Sequence, residues 1–81
     1  LFQSKYMPKL PVISGKELIK AFEKIDFSFI RQKGSHVIMK HQDGRVVTIP
    51  LHKVIKKGTL KKGILNPLNI SVEDLIDLLK K

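Results

Sequence analysis

The chain has 81 residues, with 16 Lys or Arg against 7 Asp or Glu, so its net charge is +9 with histidines neutral. Hydrophobic residues make up 42% and cysteine is absent, which allows one modest core and excludes disulfides and a cysteine-based zinc cluster. No apolar run reaches the roughly 18–20 residues that span a bilayer, and nothing resembles a signal peptide. A cytoplasmic protein with no membrane contact is therefore expected.

Residues 1–6 show no periodicity and precede Met7. They read as an appended or disordered N-terminus, leaving a single domain over 7–81. Ser14-Gly15-Lys16-Glu17 is a capping-box pattern, in which Ser14 accepts from the third helical amide while Glu17 reaches back. Leu18, Ile19, Phe22 and Ile25 follow at helical spacing, so a first helix is expected over 15–25. Lys16, Lys20, Glu23 and Lys24 fall on its outer face.

Residues 27–32 alternate as a strand of β-prone types, with Phe27 and Phe29 assigned to the core. Gly34 breaks that strand, and 36–41 and 45–49 form two more. Asp43-Gly44 between them signals a two-residue type I′ hairpin, with positive φ at both residues. Pro50 closes the third strand because it cannot donate to a ladder. A basic, non-periodic segment follows, then Thr59 as N-cap of a short helix carrying Leu60, Ile64 and Leu65. Gly63 weakens that helix and Asn66-Pro67 ends it. From Ser71, the residues Val72, Leu75, Ile76 and Leu79 sit at i, i+3, i+4 and i+7 of a last amphipathic helix. The result is one α+β domain ordered α-β-β-β-α-α, its three-stranded antiparallel sheet carrying the helices on one face.

The surplus of positive charge makes a field that attracts polyanions, and nucleic acid leads among them. An acidic protein partner answers the same field. No phosphate-loop, dinucleotide or zinc-protease motif is present, and no serine sits in a nucleophile elbow. His36 and His41 are five apart and so lie on opposite faces of their strand, which argues against a metal site. What remains is acid–base chemistry without a metal or other cofactor. Histidine, with an ordinary pKa of about 6.5, both takes and gives a proton at neutral pH. RNA carries its own nucleophile, the 2′-hydroxyl. Cleaving it needs a base for that hydroxyl, cations for the charge developing at phosphorus, and an acid for the departing 5′-oxygen.

His36 is the best candidate, because Gly34-Ser35 before it permits close approach of a phosphate backbone and offers amides to an anion. His52, in the basic segment, is a second acid/base candidate or a phosphate contact. His41, beside the hairpin turn, reads as merely exposed. Lys53, Lys56, Lys57, Lys61 and Lys62 flank a helix start at Gly58 and Thr59, where free amides and the helix dipole attract phosphate. Lys16, Lys20 and Lys24 on the first helix are the other basic track. Few aromatics are placed to stack bases, which disfavours a single-strand binder of that kind.

Ser14-Gly15-Lys16-Glu17 opening a helix, then Gln32-Lys33-Gly34-Ser35-His36, Pro50-Leu51-His52 and Gly58-Thr59-Leu60, resemble the HicA, or YcfA-like, toxin family over about residues 7–80. The resemblance implies a fold like that of a double-stranded-RNA-binding domain, α-β-β-β-α. It implies an mRNA-cleaving endoribonuclease that uses no metal, with His36 catalytic. It also implies a HicB-type antitoxin that binds the toxin and covers its active site. Two features depart from the family pattern: Gly58 to Leu65 carries one residue more before Ile64-Leu65, and the turn between the second and third strands is short. A non-catalytic RNA-binding module of the same fold accounts for the charge and element order without using His36.

Overall fold

The capping box forms as its spacing implies. In the computed structural model, which describes residues 9–80, the Glu17 amide donates to Ser14 Oγ at 3.1 Å and the Ser14 amide donates to Glu17 Oε1 at 2.9 Å. The reading of residues 1–6 as an appended or disordered start lies outside the described residues. Helix α1, Gly15–Glu23, buries Leu18, Ala21 and Phe22 and leaves its lysines outside. It ends in a turn at Asp26, whose φ of 71° reverses the chain into the sheet.

Strands β1 (Phe27–Lys33), β2 (His36–His41) and β3 (Val46–Pro50) form an antiparallel sheet in that order. Phe27, Val37, Met39, Val47 and Ile49 point to one face and are buried there with Leu18, Phe22 and residues of the later helices. The helices cover that face alone, as expected. The other face is uncovered and carries His36, Ile38 and Lys40 from β2 opposite Thr48 and Val46 of β3.

Two details of the sheet differ from the sequence reading. Phe29 pairs with Met39 but Arg31 pairs with Ile38, so Ile30 is an extra residue in a β-bulge. Phe29, assigned to the core, keeps the face of Phe27 and Met39 but is 54% exposed at the sheet edge, and the alternation breaks after it. The turn after β2 is also of another type. Gly44 donates to the His41 carbonyl and His41 to that of Arg45, and only Gly44 of the loop has positive φ, 101°. This is a three-residue loop closed by a glycine bulge, not the two-residue type I′ turn, because Asp43 keeps negative φ. The turn at 34–35 has the two-residue form, with φ of 62° at Gly34 alone, as a type II′ turn demands.

The second helix is longer than expected. Helix α2 spans 57–68, widening to a π-helix over Thr59–Leu65 and returning to α geometry over Asn66–Leu68. Thr59 is thus not its N-cap: Leu60 already donates to the Lys56 carbonyl at 2.9 Å. The π turn holds about one residue more than an α turn. Pro67 falls one residue before the last helical residue, Leu68, so the helix ends close to where Asn66-Pro67 signals it. Asn69, in the left-handed conformation at φ 61°, ends it. Leu60, Ile64, Leu65 and Leu68 are buried, and truncating any one to alanine costs about 2–5 kcal/mol.

Helix α3, Val72–Leu79, starts as expected at Ser71, whose Oγ accepts from the Asp74 amide at 3.0 Å. It packs on α1 through Leu75, and Lys24, capping the end of α1, donates from Nζ to the Leu78 carbonyl at 2.8 Å. No helix among the described residues is long and apolar enough to cross a membrane.

Candidate active site and nucleic-acid interface

Three chain segments meet at one end of the sheet. His36 opens β2 opposite Lys33 on one side and Pro50 on the other. Beyond Pro50 the ladder continues for one bond, from the Leu51 amide to the Ser35 carbonyl at 2.6 Å. The His52 carbonyl then accepts from the Gly15 amide at 3.0 Å, and the Ile55 amide donates to the Ile13 carbonyl at 2.9 Å. Ile55 is buried and anchors the segment. A stretch that looked like loop in the sequence is therefore fixed at three backbone points, while the side chains of His52, Lys53 and Lys56 stay exposed.

The structure brings Gly34, Ser35, His36 and His52 to this one end. His36 lies on the uncovered sheet face, which the sequence left open. Among the described residues, its side chain and that of His52 take part in no hydrogen bond or ion pair. The 34–35 turn is braced from within by Gln32 Nε2, which donates to the Gly34 carbonyl at 2.9 Å. Lys57, Thr59, Lys61 and Lys62 are all exposed on the first turns of α2. Because the helix starts at 57, the Gly58 and Thr59 amides belong to its first turn and have no partner within the helix.

His41 is placed otherwise than expected. It is half-buried, not exposed, with its ring edge-on to Phe27 at 4.9 Å between centroids. Its Nδ1 accepts from the Asp43 amide at 3.0 Å. Arg45 holds the same turn: Nε donates to Asp43 Oδ2 at 2.8 Å, Nη1 to the Leu68 carbonyl at 2.7 Å, and the guanidinium lies 5.7 Å from the Phe27 ring centroid. The Arg45 amide first, then its guanidinium, holds the Asp43 carboxyl below the ordinary carboxylate range.

Charge is segregated along the chain. From Phe27 to Ile70 there are nine Lys or Arg and one carboxylate, Asp43, whereas Glu17, Glu23, Asp26, Glu73, Asp74 and Asp77 sit before and after. Since α1 packs on α3, the carboxylates collect on that pair of helices. The sheet and α2 are left basic. Sequence reasoning missed Arg31, Lys33 and Lys40, which share the uncovered sheet side with His36. Strand alternation counted from His36 finds Lys40, but the bulge hides the phase of Arg31 and Lys33. Among the described residues, no three His, Cys, Asp or Glu side chains gather as metal ligands would.

A family model described as HicA toxin of bacterial toxin-antitoxin matches residues 15–65. The match runs from the first residue of α1 to the end of its π-helical stretch in α2, and so takes in both exposed histidines and the lysines from Lys53 to Lys62. No curated protein matches the chain.

Proposed function

The chain belongs to the HicA toxin family of bacterial toxin–antitoxin pairs, and on that premise we propose that it is an endoribonuclease that cleaves mRNA by histidine acid–base catalysis, without a metal. The observation that carries the reading is His36: exposed, unengaged, and seated beside a two-residue glycine turn at the basic end of the sheet. One histidine takes the proton of the RNA 2′-hydroxyl as that oxygen bonds to phosphorus. The other gives a proton to the 5′-oxygen as the bond from phosphorus to it breaks. His36 fills one role and His52 the other. Lys53, Lys56, Lys57, Lys61 and Lys62 hold the RNA backbone, with a phosphate at the Gly58 and Thr59 amides, and Gly34 and Ser35 admit the scissile phosphate.

The partner in this reading is a HicB-type antitoxin that covers His36. The basic sheet and α2 favour an acidic inhibitor steered by charge. Raising salt should slow its association far more than its dissociation, measured by stopped-flow mixing. A salt-insensitive association rate would remove the electrostatic part of the account.

The deciding experiment is incubation with RNA in chelator, beside His36→Ala. Loss of one general acid/base group lowers cleavage about 10²–10⁴-fold. Equal cleavage by both proteins removes His36 from the mechanism. RNA bound but uncut by both makes the chain a binding module.

A further inference from the structure

We propose that Gly15 is a positioning residue for the two histidines: its missing side chain lets the first turn of α1 seat on the backbone of residues 50–52 and so sets where His52 stands relative to His36. The inference rests on the endoribonuclease reading above.

Gly15 is buried at the first position of α1, where helix propensity gives glycine no advantage over alanine. Its φ is not in the left-handed region, so the conformation does not call for glycine. Space does. A Cβ here would overlap the Pro50 carbonyl oxygen and lie 3.0 Å from Leu51 Cα, and neither backbone atom can swing aside as a side-chain tip would. At Gly63, by contrast, an added Cβ meets only Thr59 Cγ2 at 3.9 Å.

The seat is wired to both histidines through backbone. The Gly15 amide donates to the His52 carbonyl at 3.0 Å, and the Leu51 amide to the Ser35 carbonyl at 2.6 Å. His36 follows Ser35 and pairs with Pro50. His36 is thus placed by the sheet and His52 by the helix, and Gly15 is where helix and sheet end touch. An atom added at that contact moves one histidine against the other. A misplacement of about 1 Å costs on the order of 10²-fold in rate.

The test uses the full chain and RNA in chelator, with Gly15→Ala, His52→Ala and the double variant. Gly15→Ala should lower kcat about 10²-fold with little change in KM. Its pH–rate profile should lose the limb that His52→Ala loses, and the double variant should be no slower than the slower single one. Gly63→Ala should cleave like the parent. Parental kcat in Gly15→Ala, losses that add in the double variant, or full activity in His52→Ala overturns the proposal.

Ser14→Ala loosens the same helix turn without adding an atom at the contact. It should shift the ring NMR signals of His52 and leave those of His36, set by the sheet, and of His41 in place. A His52 signal that stays put overturns the proposal even where Gly15→Ala fails to fold. A parent that cuts no RNA overturns the enzyme reading instead, and the ring signals then judge the seat alone.

Discussion

The two hairpin turns of the sheet stand at opposite ends and use their side chains in opposite ways. At the 42–44 turn, three side chains are committed: His41 to the Asp43 amide and the Phe27 ring, Asp43 to Arg45, and Arg45 to the Leu68 carbonyl. At 34–35 the turn is held by backbone and one glutamine, and the histidines and lysines are left exposed. One histidine builds the fold, and the other two stay exposed and unengaged. The difference teaches that one small sheet can commit its polar side chains to structure at one end and leave them free at the other.

Exchanging the roles tests this most sharply. His36→Ala should lose cleavage about 10²–10⁴-fold and keep its melting temperature, whereas His41→Ala should keep its cleavage rate per folded molecule and melt lower. Calorimetry beside the RNA assay reads both. If His41→Ala silences the enzyme while melting like the parent, the comparison fails.

Next in size is Arg45→Ala, which removes the tie between the sheet and the end of α2. Hydrogen bonds from a charged group contribute about 1.5–3 kcal/mol. Arg45 is part-exposed, so about 1–2 kcal/mol is expected, and roughly 4–8 °C of melting temperature per kcal/mol. An unchanged melt would mean that the turn is held by backbone alone, like the other one.

Such a difference between turns is only partly legible in the sequence. Ser14 and Glu17, and Ser71 before Val72, announce their helices because capping is local chemistry. Strand 36–41 is found because its alternation is unbroken. The bulge at Ile30 is not, since Phe29, Ile30 and Arg31 continue a plausible alternation and only pairing with β2 shows the slip. Thr59 and Gly63 mislead together, one resembling a cap and the other a breaker inside a helix whose burial of Leu60, Ile64 and Leu65 outweighs propensity. Of the site, His36 and its glycine turn are readable. The Gly15 seat is not, because a contact between α1 and the end of β3, far apart in the chain, leaves no local pattern.

Smaller effects separate binding from chemistry at the open end. Lys57→Ala and Lys61→Ala should each weaken RNA binding nearly alike for all sequences and lower the salt slope by about 0.7–0.9 for each phosphate no longer neutralised. Slopes equal to the parent's would move the RNA to Lys16, Lys20 and Lys24 on α1. The smallest effect belongs to Asp43. Because its folded pKa is depressed, its contribution to stability is complete above the ordinary Asp value of about 3.9 and is lost as pH falls through the lowered native value. Melts of the parent and Asp43→Asn should therefore differ at neutral pH and converge in acid. A gap that persists at the lowest pH would assign the loss to something other than this carboxylate.

The Ile30 bulge has a consequence for the behaviour of the toxin as a solute. β1 is an edge strand with unpaired backbone groups along its outer side, the kind of edge that recruits other strands into aggregates. The extra residue bends and twists that edge, and Arg31 and Lys33 put charge beside it. A domain with one naked sheet face and exposed Phe29, Ile30 and Val46 thus carries its own guard against polymerisation. An incoming strand would meet a bent, charged edge at β1 and a poor template for pairing there.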